Sequence, residues 1–153
     1  GIVNYGSFAM NSLRMEKMFP GASELNNEVT LPEAAVMRFV KTEKGEFIGR
    51  DKTVAAMSKD LPWVCAYLAI EPDGHHDGHG GEAVLMDGEM VGATSSVAYG
   101  YTAEKIMAFA YIKPEAAVPG KTLEVVIAGE PRTAIVLGEP AYDPMSERPR
   151  EVA

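Results

Sequence analysis

Apolar positions follow two regimes along the chain. Beyond Pro62 they gather into short runs, at 63–70, 83–86, 90–97, 106–112, 122–128 and 132–137, parted by Gly, Pro or Asp. Short runs of this kind with turn residues between them read as strands. Their near-regular spacing predicts a small antiparallel barrel or sandwich, because a parallel α/β sheet needs long helical crossovers. Asp87-Gly88 predicts a tight hairpin, since both central residues of such a turn tolerate positive φ. Gly129-Glu130-Pro131 offers a second, weaker turn.

Before Pro62 the apolar residues stand among polar ones. Phe8, Leu13 and Met15, interleaved with Asn11, Ser12, Arg14, Glu16 and Lys17, predict a helix over 4–18. Phe19-Pro20-Gly21-Ala22-Ser23 should end it. Arg14 and Glu16 are two apart, so on a helix they point in different directions and each must meet its own partner. Residues 24–31 read as an irregular crossing, 36–40 as a short turn or strand after Pro32, and 41–46 as a charged loop. A second short helix is expected over 51–59, with Asp51 at its start. The proline-broken stretch 143–150 should lie over the surface or fray. The fold class is therefore α+β, a short N-terminal helical segment followed by a small antiparallel β-barrel.

Composition adds limits. The chain has 153 residues, 46% hydrophobic and 24% charged, enough to bury a core without disulfides or a structural metal. A net charge of −8 argues against nucleic acid and anionic membrane partners. No apolar stretch approaches the length of a membrane span, and the expectation is a soluble cytoplasmic protein, or a mitochondrial-matrix one in a eukaryote. Cys65 has no partner for an internal disulfide and is expected to be a buried, inert thiol.

Candidate chemistry is sparse. His75-His76-Asp77-Gly78-His79 has the side chains of a metal site, but the glycines at 74, 78, 80 and 81 leave the rings without a scaffold, so a solvated connection and no metal are expected. The Gly-rich stretches 78–81 and 45–49 lack the Lys and Ser/Thr of a phosphate loop, and with every histidine in one loop a hydrolytic triad is not expected. Thr94, Ser95 and Ser96, followed by Tyr99 and Tyr101, place hydroxyls and phenols near a strand end. They suit either a bound heterocycle or an ordinary strand edge.

Three segments carry a resemblance. Ala9-Met10-Asn11-Ser12-Leu13-Arg14-Met15-Glu16-Lys17, then Pro32-Glu33-Ala34-Ala35 with Phe39-Val40-Lys41 and Phe47-Ile48-Gly49-Arg50, then Val91-Gly92-Ala93-Thr94-Ser95-Ser96 with 105–111 and Gly120, occur in order. Together they resemble the C-terminal part of the glycine-cleavage aminomethyltransferase (T-protein) family, and the first is nearest to the folate domain of dimethylglycine and sarcosine dehydrogenases. The resemblance implies that 1–50 is the tail of a central folate-binding domain, 51–142 the C-terminal antiparallel β-barrel and 143–153 an extended tail. It implies tetrahydrofolate in a channel shared with an upstream part, FAD only in an upstream domain, and an N-methyl amine as substrate. An upstream domain or partner chain should pack on 1–50. The family's catalytic aspartate lies upstream of the matched region, so no catalytic residue is expected here and the chain alone should be inactive.

The folate-facing candidates are Arg38, Met10, Thr94, Ser95 and Tyr99. Met10 stands where aminomethyltransferases carry a folate-contacting arginine, which points toward the dehydrogenase branch, and Arg38 stands where they often carry an aromatic. Arg38 can pair with a folate glutamate or stack on its aminobenzoyl ring. Three readings stay open: part of a flavin-dependent N-methyl amine dehydrogenase, part of a flavin-independent aminomethyltransferase or methyltransferase/demethylase, and a stand-alone, non-catalytic binding or assembly module.

Overall fold

A computed structural model describes residues 2–72 and 78–151. In chain order it contains α1 (Ser7–Glu16), a single 3-10 turn (Met37–Phe39), α2 (Arg50–Met57), β1 (Val64–Ile70), β2 (Ala83–Met86), β3 (Glu89–Gly100), β4 (Lys105–Ile112), β5 (Thr122–Ile127), β6 (Glu130–Leu137) and a last 3-10 turn (Arg148–Arg150). The strands close into one antiparallel barrel in the order β1-β4-β3-β2-β5-β6. Closure pairs every strand on both sides and leaves no edge for another chain to extend.

Two kinds of strand pattern have two packing causes. In β5 and β6, Leu123, Val125, Ile127, Ala134 and Val136 point inward and are buried, while Thr122, Glu124, Thr133 and Ile135 between them are exposed. That is the period-2 alternation of a sheet with one wet face. The runs of β1 and β4 are continuous because they are covered on both faces. Ala66, Leu68, Ile70, Ile106, Ala108, Ala110 and Ile112 fill the barrel. Tyr67, Met107 and Phe109 face outward into a second cluster closed by Met15 of α1. Leu68 pairs with Ala108 on one side and Val136 on the other, at the middle of the barrel.

The hairpin at Asp87-Gly88 forms as its composition predicts, with φ of 54° and 80°. The second turn differs: Ala128 and Gly129 take the positive φ values, 54° and 86°, while Glu130 and Pro131 already belong to β6. Pro131 is tolerated there at the start of its strand. α1 is shorter than the pattern suggests, since Gly6 gives no side-chain cap and the segment leaves the helix at Lys17, before Met18 at φ 55°. Residues 36–40 make a 3-10 turn, and α2 buries none of its residues. Part of the terminal stretch is tied down: Lys17 Nζ donates to the Asp143 carbonyl at 2.5 Å and to Ser146 Oγ at 3.2 Å, and Tyr142 N–H donates to the Glu16 carbonyl at 3.1 Å.

Core position and surface position should separate cleanly. Leu68→Ala, at a fully buried side chain, is expected to cost about 2–5 kcal/mol in urea unfolding. Ile135→Ala, at a side chain 41% exposed, should cost about 1 kcal/mol or less. Equal losses at both positions would contradict this assignment of the two faces.

Candidate ligand-binding site

The N-terminal segment is held on the barrel by polar side chains rather than by a broad apolar seam. Asn11 Nδ2 donates to the Val97 carbonyl at 3.2 Å, and Ser12 Oγ donates to the Tyr99 carbonyl at 2.6 Å. Tyr67 Oη donates to the Met15 carbonyl at 2.5 Å, adding a side-chain donor to an acceptor that also takes the Met18 N–H at 3.0 Å. Arg14 and Glu16 meet different partners, as their spacing requires. Glu16, only 2% exposed, accepts the backbone N–H groups of Thr102 and Ala103 at 2.5 and 3.0 Å. Arg14 donates through Nε to Asn11 Oδ1 at 2.8 Å and pairs through Nη1 with the Glu24 carboxylate at 3.2 Å.

Glu24 is fully buried. Its carboxylate accepts the Gly21 N–H at 2.6 Å, Ser95 Oγ at 2.7 Å and Ser96 Oγ at 2.5 Å. Consecutive residues of a regular strand point to opposite faces, so two neighbouring serines reach one oxygen only because the β3–β4 register shifts between Thr94 and Ser96. Burial by itself pushes this carboxyl up; the Ser96, Gly21 and Ser95 hydrogen bonds and the Arg14 charge outweigh it and hold the group below the usual carboxylate range.

With α1 fixed in this way, an open cavity of about 470 Å³ lies between it and the end of β3. Phe8, Asn11 and Ser12 of α1 line one side, Tyr99 and Tyr101 the other, and His79 is also part of its wall. The two tyrosine rings meet edge to face, with centroids 5.1 Å apart. A second hollow of about 480 Å³ lies against Phe8, Met10, Asn11 and Arg14, and a third of about 410 Å³ against Trp63, Met90, Thr94, Ser95 and Tyr111.

The candidates read from the sequence are therefore dispersed. Tyr99 lines the first cavity, Met10 the second, and Thr94 and Ser95 the third. Arg38 is exposed in the 3-10 turn, its guanidinium 4.8 Å from the centre of the Phe39 ring. Thr94 and Ser95 lie within β3 rather than near its end, and their hydroxyls are engaged by the Glu82 and Glu24 carboxylates. Phe8, Asn11, Ser12 and His79 were not among the candidates. Asn11 and Ser12 stand in the helix motif that carries the resemblance, whereas His79 was hidden among glycines.

Of the histidine cluster, His75, His76 and Asp77 lie outside the described residues. Among the described residues there is no group of three metal-ligating side chains, and no helix is long and apolar enough to cross a membrane. Cys65 is half-buried, and burial together with the Glu24 charge pushes its thiol up to about 12, which keeps it protonated near neutrality.

The Glu24 network gives a pH test. Because the folded pKa lies below the unfolded value of 4.5, its stabilisation is complete above that pH and lost as pH falls through the folded value. Glu24→Gln should lose about 1–3 kcal/mol at pH 7, and the gap to the wild type should narrow as pH drops below about 4. A gap that stays constant down to pH 3 would contradict an ionised Glu24.

Comparison with known proteins agrees with the barrel and the helix motif. Residues 65–143 match the profile of the glycine cleavage T-protein C-terminal barrel domain. The chain is 35% identical over 144 residues to mitochondrial dimethylglycine dehydrogenase of Homo sapiens, covering 92% of this chain and 16% of that protein. It is 32% identical over 131 residues to an aminomethyltransferase of Desulfitobacterium hafniense, covering 85% of this chain and 35% of that protein. The crystal structure of glycine cleavage system aminomethyltransferase T from Bartonella henselae superposes with a TM-score of 0.77 at 20% identity, over 89% of this chain and 38% of that one, a likeness of fold. The chain thus spans a minor part of the relatives it matches, and it belongs to the glycine cleavage T-protein C-terminal barrel family, related to both the dimethylglycine dehydrogenases and the aminomethyltransferases.

Proposed function

We propose that this chain is the C-terminal portion of a tetrahydrofolate-dependent one-carbon enzyme, and that the face formed by α1 and the end of β3 is one wall of the folate channel. The observation that carries this reading is the two-sided character of the N-terminal segment. Its polar side chains are tied to the barrel, while Ile2, Val3, Phe8 and Ile48 stand 102, 80, 92 and 104% exposed. Apolar surface gathered on one segment is surface made to be covered. The natural cover is the upstream portion that the relatives possess and this chain does not span, with 1–50 as the tail of that folate-binding domain, 51–142 as the barrel and 143–153 as the extended tail.

The cavity fits part of such a ligand. Its volume of about 470 Å³ is in the range of small-molecule sites, with aromatic walls and few polar groups. Tetrahydrofolate, when bound, supplies the acceptor for the one-carbon unit. The residues of this chain orient it: Tyr99 and Tyr101 offer ring faces and phenol hydroxyls, Phe8 adds an apolar wall, and Met10, in the neighbouring hollow, and Arg38 are within the segment that the upstream portion would cover. Thr94 and Ser95 act through the fold, by keeping Glu82 and Glu24 in place. Acid–base chemistry belongs to the upstream portion.

The finer assignment is a flavin-dependent N-methyl amine dehydrogenase of the dimethylglycine or sarcosine kind, with FAD in an upstream domain. The apolar Met10 supports it over a flavin-independent aminomethyltransferase. In the protein that includes the upstream portion, Tyr99→Ala should weaken reduced-folate binding about threefold to tenfold in calorimetry, and Arg38→Ala by a similar factor. Unchanged affinity in both variants would remove this face from the channel and favour a stand-alone binding or assembly module.

A further inference from the structure

Tyr101 keeps its place in the cavity wall through its backbone more than through packing. It follows the last residue of β3, is 78% exposed, and sets its ring against the edge of the Tyr99 ring. A site residue holds its geometry only when something locks it, and a side chain this open is not locked by its neighbours.

The backbone on both sides of Tyr101 rests on one side chain. Glu16, the last residue of α1, accepts the N–H groups of Thr102 and Ala103 at 2.5 and 3.0 Å, both through Oε1. On the other side, Gly100 lies against the same carboxylate: a Cβ there would fall 2.9 Å from Glu16 Cγ and 3.1 Å from Oε1. Residues 100, 102 and 103 thus all meet Glu16, and Tyr101 is the residue among them that lines the cavity. Glu16 is itself well fixed. It is 2% exposed, its carbonyl accepts the Tyr142 N–H at 3.1 Å, and the Met15 carbonyl before it accepts Tyr67 Oη at 2.5 Å. Hairpin loops of this length are usually built around a turn that closes on its own backbone. A buried carboxylate brought from another element is costly, and its effect here is to set where the turn sits relative to α1.

We propose that Glu16 is a positioning residue for ligand binding, acting through Tyr101. α1 then builds both sides of the cavity: Phe8, Asn11 and Ser12 form one wall directly, and the carboxylate at the end of the same helix places the ring of the other. The spacing of the walls is fixed before the ligand arrives, which suits a planar ring, since an ordered wall removes part of the ordering cost of binding. This inference rests on reading the cavity as part of the folate channel, and it adds the device that holds the aromatic wall in register.

The test uses the protein with its upstream portion and a stable reduced folate in calorimetry. Glu16→Ala should weaken binding about fivefold, whereas Glu16→Gln, whose amide oxygen can accept the same two N–H groups, should stay within about twofold of the wild type. In a Tyr101→Ala background, itself weakened about threefold to tenfold, Glu16→Ala should cost nothing further. A separate readout reports position: with fluorotyrosine incorporated, the fluorine NMR signal that disappears in Tyr101→Phe belongs to this ring. Glu16→Ala should move that signal before any ligand is added, and Glu16→Gln should leave it in place. Gly100→Ala, whose new methyl must displace the carboxylate, serves as the second variant should Glu16→Ala fail to fold; it should move the same signal and weaken binding about threefold. Unchanged affinity in Glu16→Ala alongside weakened binding in Tyr99→Ala would overturn this proposal and leave the channel reading intact. So would a Glu16→Ala loss that persists in full in the Tyr101→Ala background, or a Glu16→Gln loss as large as that of Glu16→Ala. Absence of folate binding in the wild-type protein would overturn both.

Discussion

Two buried carboxylates hold α1 and the segment after it on the barrel. The barrel satisfies its own backbone by closing on itself, but the segment before it has no sheet to join. Glu16 and Glu24 solve this by reaching donors on β3 and on the turn that follows it. A buried carboxylate is costly unless donors replace its water. Glu24 receives them from a backbone N–H, two serines and an arginine, and the bulge in β3 exists where both serines must face it. Without that irregularity Ser95 and Ser96 would point to opposite faces. The helix, the cavity beside it and the apolar surface it displays all follow from this attachment.

The barrel was legible in the sequence because its causes are local and periodic. Alternation in β5 and β6 and the Asp87-Gly88 turn each state their own geometry. The continuous runs of β1 and β4 also state theirs, once it is recognised that α1 dries their outer face at Tyr67, Met107 and Phe109. Boundaries were less legible where a rule has two outcomes. Gly129 was read as opening its turn, but the preceding Ala128 accepts the left-handed conformation and Pro131 starts a strand instead. The full length of β3 was hidden because Tyr99-Gly100-Tyr101 reads as the region after a strand ending at Val97, whereas β3 continues to Gly100.

The site was harder to read, for a reason that side-chain chemistry makes plain. Thr94 and Ser95 were attractive as ligand contacts because they are hydroxyls in a promising stretch, yet a hydroxyl serves a buried carboxylate just as well. Nothing in the sequence pairs Ser95 with a glutamate 71 positions away. Arg14 and Glu16 were readable because their divergence on a helix is local geometry, although their partners were not. His79 was discounted because glycines usually mean freedom; here those at 78 and 80 mean close approach to β3, a meaning fixed by tertiary contact and by Glu82. Only the order and spacing of whole motifs pointed to the family.

The central claim is that the α1–β3 face is where this chain meets its ligand, and amide hydrogen exchange on the protein with its upstream portion tests it directly. Adding a reduced folate should slow exchange over 7–13 and 97–101, with little change in β5 and β6 on another part of the barrel. Slowing confined to segments outside 7–13 and 97–101 would contradict the account.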